Sequence, residues 1–140
     1  MPFKISVELW QYRVIMVAKF LKGGFVFHEL MTSDVEGAKK FYREITGLNV
    51  TSGAYPMLVD GETLVAGLVG PHADGSAWPS GGPEPHWIAY FSVKDVDAAV
   101  EKAEKFGGKV LLPPTDIPNF GRAAVLRDPQ GAAFGVFASL

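Results

Sequence analysis

The chain has no cysteine. That excludes disulfides, a thiolate nucleophile and any cysteine-type zinc site, and it suits a reducing cytosol, so a cytoplasmic location is expected. Histidine is scarce, with three in 140 residues, and 13 basic side chains stand against 15 acidic ones, for a formal net charge of −2. A nucleic-acid partner therefore has no electrostatic support. Long apolar runs without charge are absent as well. The longest, ISVELWQYRVIMVAKFL from Ile5 to Leu21, is broken by Glu8, Gln11, Arg13 and Lys19. It fits neither a membrane span nor the apolar block of a signal peptide, so no membrane partner is expected. There is no GxGxxG, no P-loop and no HExxH, and Ser80 in WPSGG lacks the strand-turn-helix setting of a nucleophile elbow. Dehydrogenase, kinase and hydrolase chemistry have nothing to stand on.

What is present is an ordinary globular composition, 48% apolar and 20% charged, at a length that suits one domain with an ample core. Past Gly24 the chain repeats itself. FVFHELMTSDVEGAKKFYREITG can be laid over HWIAYFSVKDVDAAVEKAEKFGG with a constant shift of 61 residues, placing Asp34 on Asp95, Val35 on Val96, Ala38 on Ala99 and Gly47 on Gly108. Each half opens with an apolar strand, passes an N-capping aspartate and enters an amphipathic helix. The buried stripes are expected to be Val35, Ala38, Phe41, Tyr42 and Ile45 in the first helix, and Val96, Ala99, Val100, Ala103 and Phe106 in the second. Glycines at 47, 107 and 108 supply left-handed stops.

Short β-like runs follow each helix: LNVTSG, PMLVDG and TLVAGLVG in the first half, KVLLPP, RAAVLRDPQG and AFGVFASL in the second. Asp60-Gly61 signals a hairpin, and Asp128 to Gly131 a four-residue turn. The fold class is therefore α+β, built from two βαβββ modules. Residues 1–22 are an N-terminal extension, with Met16 as a possible internal start, and residues 23–140 form one domain. Within it, module one spans 23–70, a Gly/Pro-rich linker or lid 71–85, and module two 86–140.

The duplicated module, with DVEGAKKFY, DVDAAVEKAEKFGGKVLLPPTDIP and GRAAVLRDPQG in that order, resembles the vicinal oxygen chelate superfamily. That superfamily takes in glyoxalase I, bleomycin-resistance proteins and extradiol dioxygenases. The last two motifs look most like glyoxalase-like proteins of unassigned activity. The resemblance implies a U-shaped sheet around one cavity, which in the family's enzymes holds a divalent metal. It also implies where the metal ligands stand: seven residues before each capping aspartate, and four residues after the glycine of DPxG. Here those positions are Phe27, Ile88 and Gly135, with Val65 or Gly67 as the first-half counterpart of Gly135. None has a side chain that binds a metal, so no cofactor is expected.

FHELM, residues 27–31, nevertheless places a histidine beside a glutamate. Strand alternation sends them to opposite faces, His28 toward the helix layer and Glu29 with Phe27 toward the cavity. A carboxylate on an apolar concave face is costly unless paired. Glu29 is accordingly a candidate acid or base and a candidate ligand contact, with a salt bridge to Arg122 as the structural alternative. Phe27, Ile88, Tyr90, Trp78, Arg122 and His86 complete the candidate ligand-binding set. The leading expectation is metal-independent binding of a small apolar or aromatic molecule, in the manner of a bleomycin-resistance protein, by a homodimer. The alternatives are enzymes. One is a lyase, isomerase or dioxygenase with a non-standard metal site such as Glu29 and His86; the other is a metal-free enzyme with Glu29 as base. A cavity filled by its own side chains would leave only a scaffold.

Overall fold

A computed structural model describes residues 23–53, 55–70 and 84–140; residues 1–22 and the linker tryptophan Trp78 lie outside them. Among the described residues, eight strands and two helices follow in chain order. Module one consists of β1 (Phe25–Met31), α1 (Val35–Thr46), β2 (Asn49–Val50), β3 (Met57–Asp60) and β4 (Thr63–Val69). Module two consists of β5 (His86–Ser92), α2 (Val96–Lys105), β6 (Lys109–Ile117), β7 (Gly121–Arg127) and β8 (Ala133–Ser139). The duplicated βαβββ order expected from the sequence is present. Strand order is β2-β3-β4-β1 in the first module and β5-β8-β7-β6 in the second.

Both helices start as their sequences dictate. The side chain of Asp34 accepts the Gly37 N–H at 2.9 Å and that of Asp95 accepts the Ala98 N–H at 3.0 Å, each satisfying a donor that the first helical turn leaves unpaired. Gly47 closes α1 in the left-handed region. The buried stripes are narrower than the apolar spacing suggests. Leu30, Leu58, Ala66 and Leu68 form the first core, against which Val35, Ala38 and Tyr42 of α1 pack, whereas Phe41 and Ile45 remain 56% and 61% exposed. In module two, Val96 and Val100 of α2 are buried with Ala124, Leu126 and Val136, while Phe106 lies at the helix end and is exposed. A helix on a sheet buries a stripe about two residues wide per turn, and flanking apolar positions fall outside it.

The strands also depart from their sequence signals in detail. β2 is two residues long, and the β3–β4 turn centres on Gly61 and Glu62, because Asp60 pairs with Thr63. β6 runs on through Pro113 and Pro114, with register shifts on either side of Leu112. It is the outermost strand of its set, and an edge tolerates proline because one row of N–H groups needs no ladder partner. Asp128 organises the β7–β8 turn, its Oδ1 accepting from the N–H groups of Gln130 and Ala132 at 2.9 Å.

By contacts the chain divides into two compact units, and the cut falls inside β1: residues 28–87 belong to one, residues 23–27 and 88–140 to the other. The start of β1 is anchored within the second unit by a bulge. Gly23 N–H donates to Ser92 O at 3.0 Å and Ser92 N–H to Gly24 O at 2.8 Å, so two glycines oppose one serine. Gly23 has φ +72°, the left-handed first position that this type of bulge requires of glycine.

Candidate functional site

The sheet faces are fixed by register. In unit one Leu30 pairs with Leu68 and Leu58 with Ala66, all in the core under α1. The alternate residues Met57, Gly67 and Glu29 therefore form a row across β3, β4 and β1 on the face turned away from α1. In unit two Val125, Gly135 and Tyr90 form the same row across β7, β8 and β5, turned away from α2. Each row thus has a glycine at its centre and a large, polar-tipped side chain on the first strand. This settles the counterpart of Gly135 in module one: it is Gly67.

In unit one, Glu29 is half-buried and its Oε2 accepts a hydrogen bond from the hydroxyl of Tyr55. Tyr55 stands in the turn between β2 and β3. That turn is held by Thr51 N–H donating to Met57 O at 3.0 Å and by Met57 N–H donating to the Thr51 hydroxyl at 2.9 Å. Sequence reasoning missed Tyr55, which lies 26 residues from Glu29 in a turn with no periodicity to aim it. His28 is exposed and shares the parity of Leu30, on the α1 side. His86 is half-buried, and its Nδ1 lies 2.7 Å from the carbonyl of Glu84; a carbonyl only accepts, so Nδ1 carries the proton.

In unit two, Ile88 and Tyr90 are buried at 2% and 7% exposure, and Phe27 stands with its ring centroid 6.0 Å from that of Tyr90. The Tyr90 ring lies directly on Gly135. A Cβ added to residue 135 would fall 2.1 Å from Tyr90 Cδ1 and 2.4 Å from Cε1, so no side chain fits there while Tyr90 keeps its place. Phe91 and Phe134 belong to the opposite face, in register with Val136 and Leu126 of the core under α2; their centroids lie 6.0 Å apart, and that of Phe25 lies 4.3 Å from Phe91.

Arg122 stands off the Tyr90 face. Its parity is that of Ala124 and Leu126, which are packed with α2, and its guanidinium is engaged on that side. Nε and Nη2 donate to Asp97 at 2.7 and 3.0 Å, and Nη1 donates to Asp116 at 2.7 Å. The hydrogen bond from Arg122, with its charge in second place, holds the Asp97 carboxyl below its usual value of 3.8.

The positions that the family resemblance implies for metal ligands carry Phe27, Gly67, Ile88 and Gly135, none with a ligating side chain, and among the described residues no three histidine, aspartate or glutamate side chains converge. Two ligands, such as Glu29 and His86, fall short of what catalytic metal sites use.

Two βαβββ modules, each with a parallel pairing of its first and last strands, define the paired-module α+β class. The chain belongs to the glyoxalase/bleomycin resistance protein/dioxygenase superfamily, which its residues 24–136 match. CFP32 of Mycobacterium tuberculosis, provisionally named a glyoxylase, is 37% identical over 143 residues, covering 96% of this chain and 52% of its own length. The anthracycline biosynthesis protein DauV of Streptomyces sp. strain C5 is 34% identical over 142 residues, covering 96% of this chain and 49% of its own. The chain therefore spans about half the length of these relatives. Among solved structures, methylmalonyl-CoA epimerase of Streptomyces coelicolor shares the fold, with a TM-score of 0.56 at 19% identity over 85% of this chain and 99% of that one.

Proposed function

We propose that this chain binds a small, planar, mainly apolar or aromatic molecule without a metal, as a binding member of its superfamily and as a homodimer. The observation that carries this reading is the Tyr90 ring seated on Gly135. The place of a carboxylate ligand is filled by an aromatic face, with Phe27 and Ile88 at the other ligand positions. Apolar and aromatic lining with few polar groups suits a flat organic ligand. The relative named for anthracycline biosynthesis supports the same class, since anthracyclines are planar polycyclic aromatics.

A metal-free enzyme is the second reading, favoured by one observation. A phenol donating to a half-buried carboxylate is an arrangement that moves protons, with Glu29 as base and Tyr55 as its partner. The test separates the readings. Calorimetric titration with an anthraquinone probe is expected to show saturable binding that EDTA leaves unchanged, with no probe turnover by chromatography. Elemental analysis after desalting is expected to show far less than one metal per chain. Metal retained in stoichiometric amount, or binding that needs it, overturns the proposal in favour of a non-standard metal site.

A further inference from the structure

The Tyr90 face of unit two carries two positive charges set side by side. We propose that Lys109 and Arg127 form an anion-binding pair, and that the aromatic molecule this chain takes is an acid whose carboxylate they hold. This deepens the binding reading and rests on it.

Register puts the two cations together. Lys109 pairs with Arg127 across β6 and β7, and Arg127 with Ala133 across β7 and β8. Their neighbours Val110 and Leu126 are packed with α2. Alternation therefore turns Lys109 and Arg127 to the opposite face, the one that holds Val125, Gly135 and Tyr90. One row along, about 7 Å away at two residues of strand rise, Leu112, Val125, Gly135 and Tyr90 stand in register as a mainly apolar run.

Both cations are exposed, and among the described residues neither makes a hydrogen bond or an ion pair. Asp128, next to Arg127 in the chain, has its Oδ1 taken by the N–H groups of Gln130 and Ala132. The contrast with Arg122 is direct. On the α2 side of the same strand a guanidinium has two carboxylates, whereas on the Tyr90 side Arg127 has a lysine opposite. Like charges directly across a ladder destabilise a sheet, so this pairing costs the fold stability rather than adding it. A carboxylate reverses the sign. It takes the guanidinium fork and the ammonium together in charge-assisted bonds, with its aromatic body along the apolar row. A neutral group of the same shape leaves both charges uncompensated, and a cationic one is repelled.

Anthraquinone-2-carboxylate and its uncharged carboxamide are a matched pair of probes, each measured against the wild-type chain by equilibrium dialysis. The acid is expected to bind about tenfold more tightly, the difference that one charge-assisted contact provides. Lys109→Gln and Arg127→Gln should each reduce that preference, and in the double variant the two probes bind alike. Arg122→Gln removes one charge from the other face and leaves the preference intact. Because the two cations repel each other, the double variant should unfold at or above the wild-type thermal midpoint, which separates lost binding from lost folding. Equal affinity of the two probes for the wild type overturns the carboxylate inference and leaves the binding reading in place. So does a preference that survives the double substitution, or one that Arg122→Gln abolishes as fully. If neither probe binds the wild type, both fall.

Discussion

At the scale of single residues, the position that decides most is the glycine beneath Tyr90. A methyl group at 135 would meet the ring at 2.1 Å, and Tyr90, 7% exposed, has little free space to retreat into. Gly135→Ala is therefore expected to destabilise the fold by about 1–3 kcal/mol, the usual cost of overpacking, read from urea unfolding midpoints. In a Tyr90→Ala background the same substitution should cost much less, because the clash partner is gone; additive costs would show that the ring is not what holds position 135 to glycine. The site residues were legible to unequal degrees. Glu29 could be assigned to a face because strand alternation is a local rule and Asp34 fixes the count. Gly135 could be placed by counting from Gly131, but the Tyr90 ring above it could not, since that contact depends on which residues two parallel strands bring side by side. Tyr55 was invisible because it lies in a turn, 26 residues from Glu29, with no periodicity to aim it. The partners of Arg122 were not legible, because Asp97 and Asp116 stand on a helix and a neighbouring strand that only the fold brings beside it.

Among the elements, the helices were the most legible because capping and the 3.6-residue period act within a dozen residues, as Asp34 and Asp95 show. The strand pairings were not, since a stretch such as KVLLPPTDI becomes a nine-residue edge strand only once a partner and an open edge exist. The caps should be worth about 1 kcal/mol each, so Asp34→Ala and Asp95→Ala are each expected to lower stability by that amount, and an unchanged midpoint would mean that solvent replaces the lost bond. Arg122 joins the first turn of α2 to the β6–β7 hairpin through Asp97 and Asp116. Because the Asp97 pKa is depressed in the folded chain, its contribution to stability is fully present above the unfolded carboxylate range and disappears as pH falls through the lowered value. Arg122→Gln should move the Asp97 titration, followed by carboxyl-carbon NMR, up toward 3.8. Both groups face solvent, so salt should weaken the effect, and a titration that does not move would show that Arg122 is not its cause.

For the molecule as a whole, the open matter is what covers α1. Phe41 and Ile45 stand one turn apart on the same flank, 56% and 61% exposed. Beside them the edge-on pair of Tyr42 and Trp87, centroids 5.3 Å apart, leaves Trp87 partly open to solvent. Scattered apolar side chains need no explanation, but a contiguous group with three aromatic side chains suits a contact surface. The occupant suggested by length is a second copy, because relatives about twice as long match this chain with about half of theirs. Sedimentation velocity is thus expected to show a species of two 15.1 kDa chains. The double substitution Phe41→Asp and Ile45→Asp should convert it to one, since a pair of charges facing a like pair across a two-fold axis is repelled. Neither residue belongs to the core under α1, so the helical signal in circular dichroism should persist. A wild-type chain that stays monomeric at every concentration would remove the homodimer, whereas a variant that still dimerises would place the interface on another face, with the exposed apolar residues at Phe106, Leu111 and Leu112 the next to change.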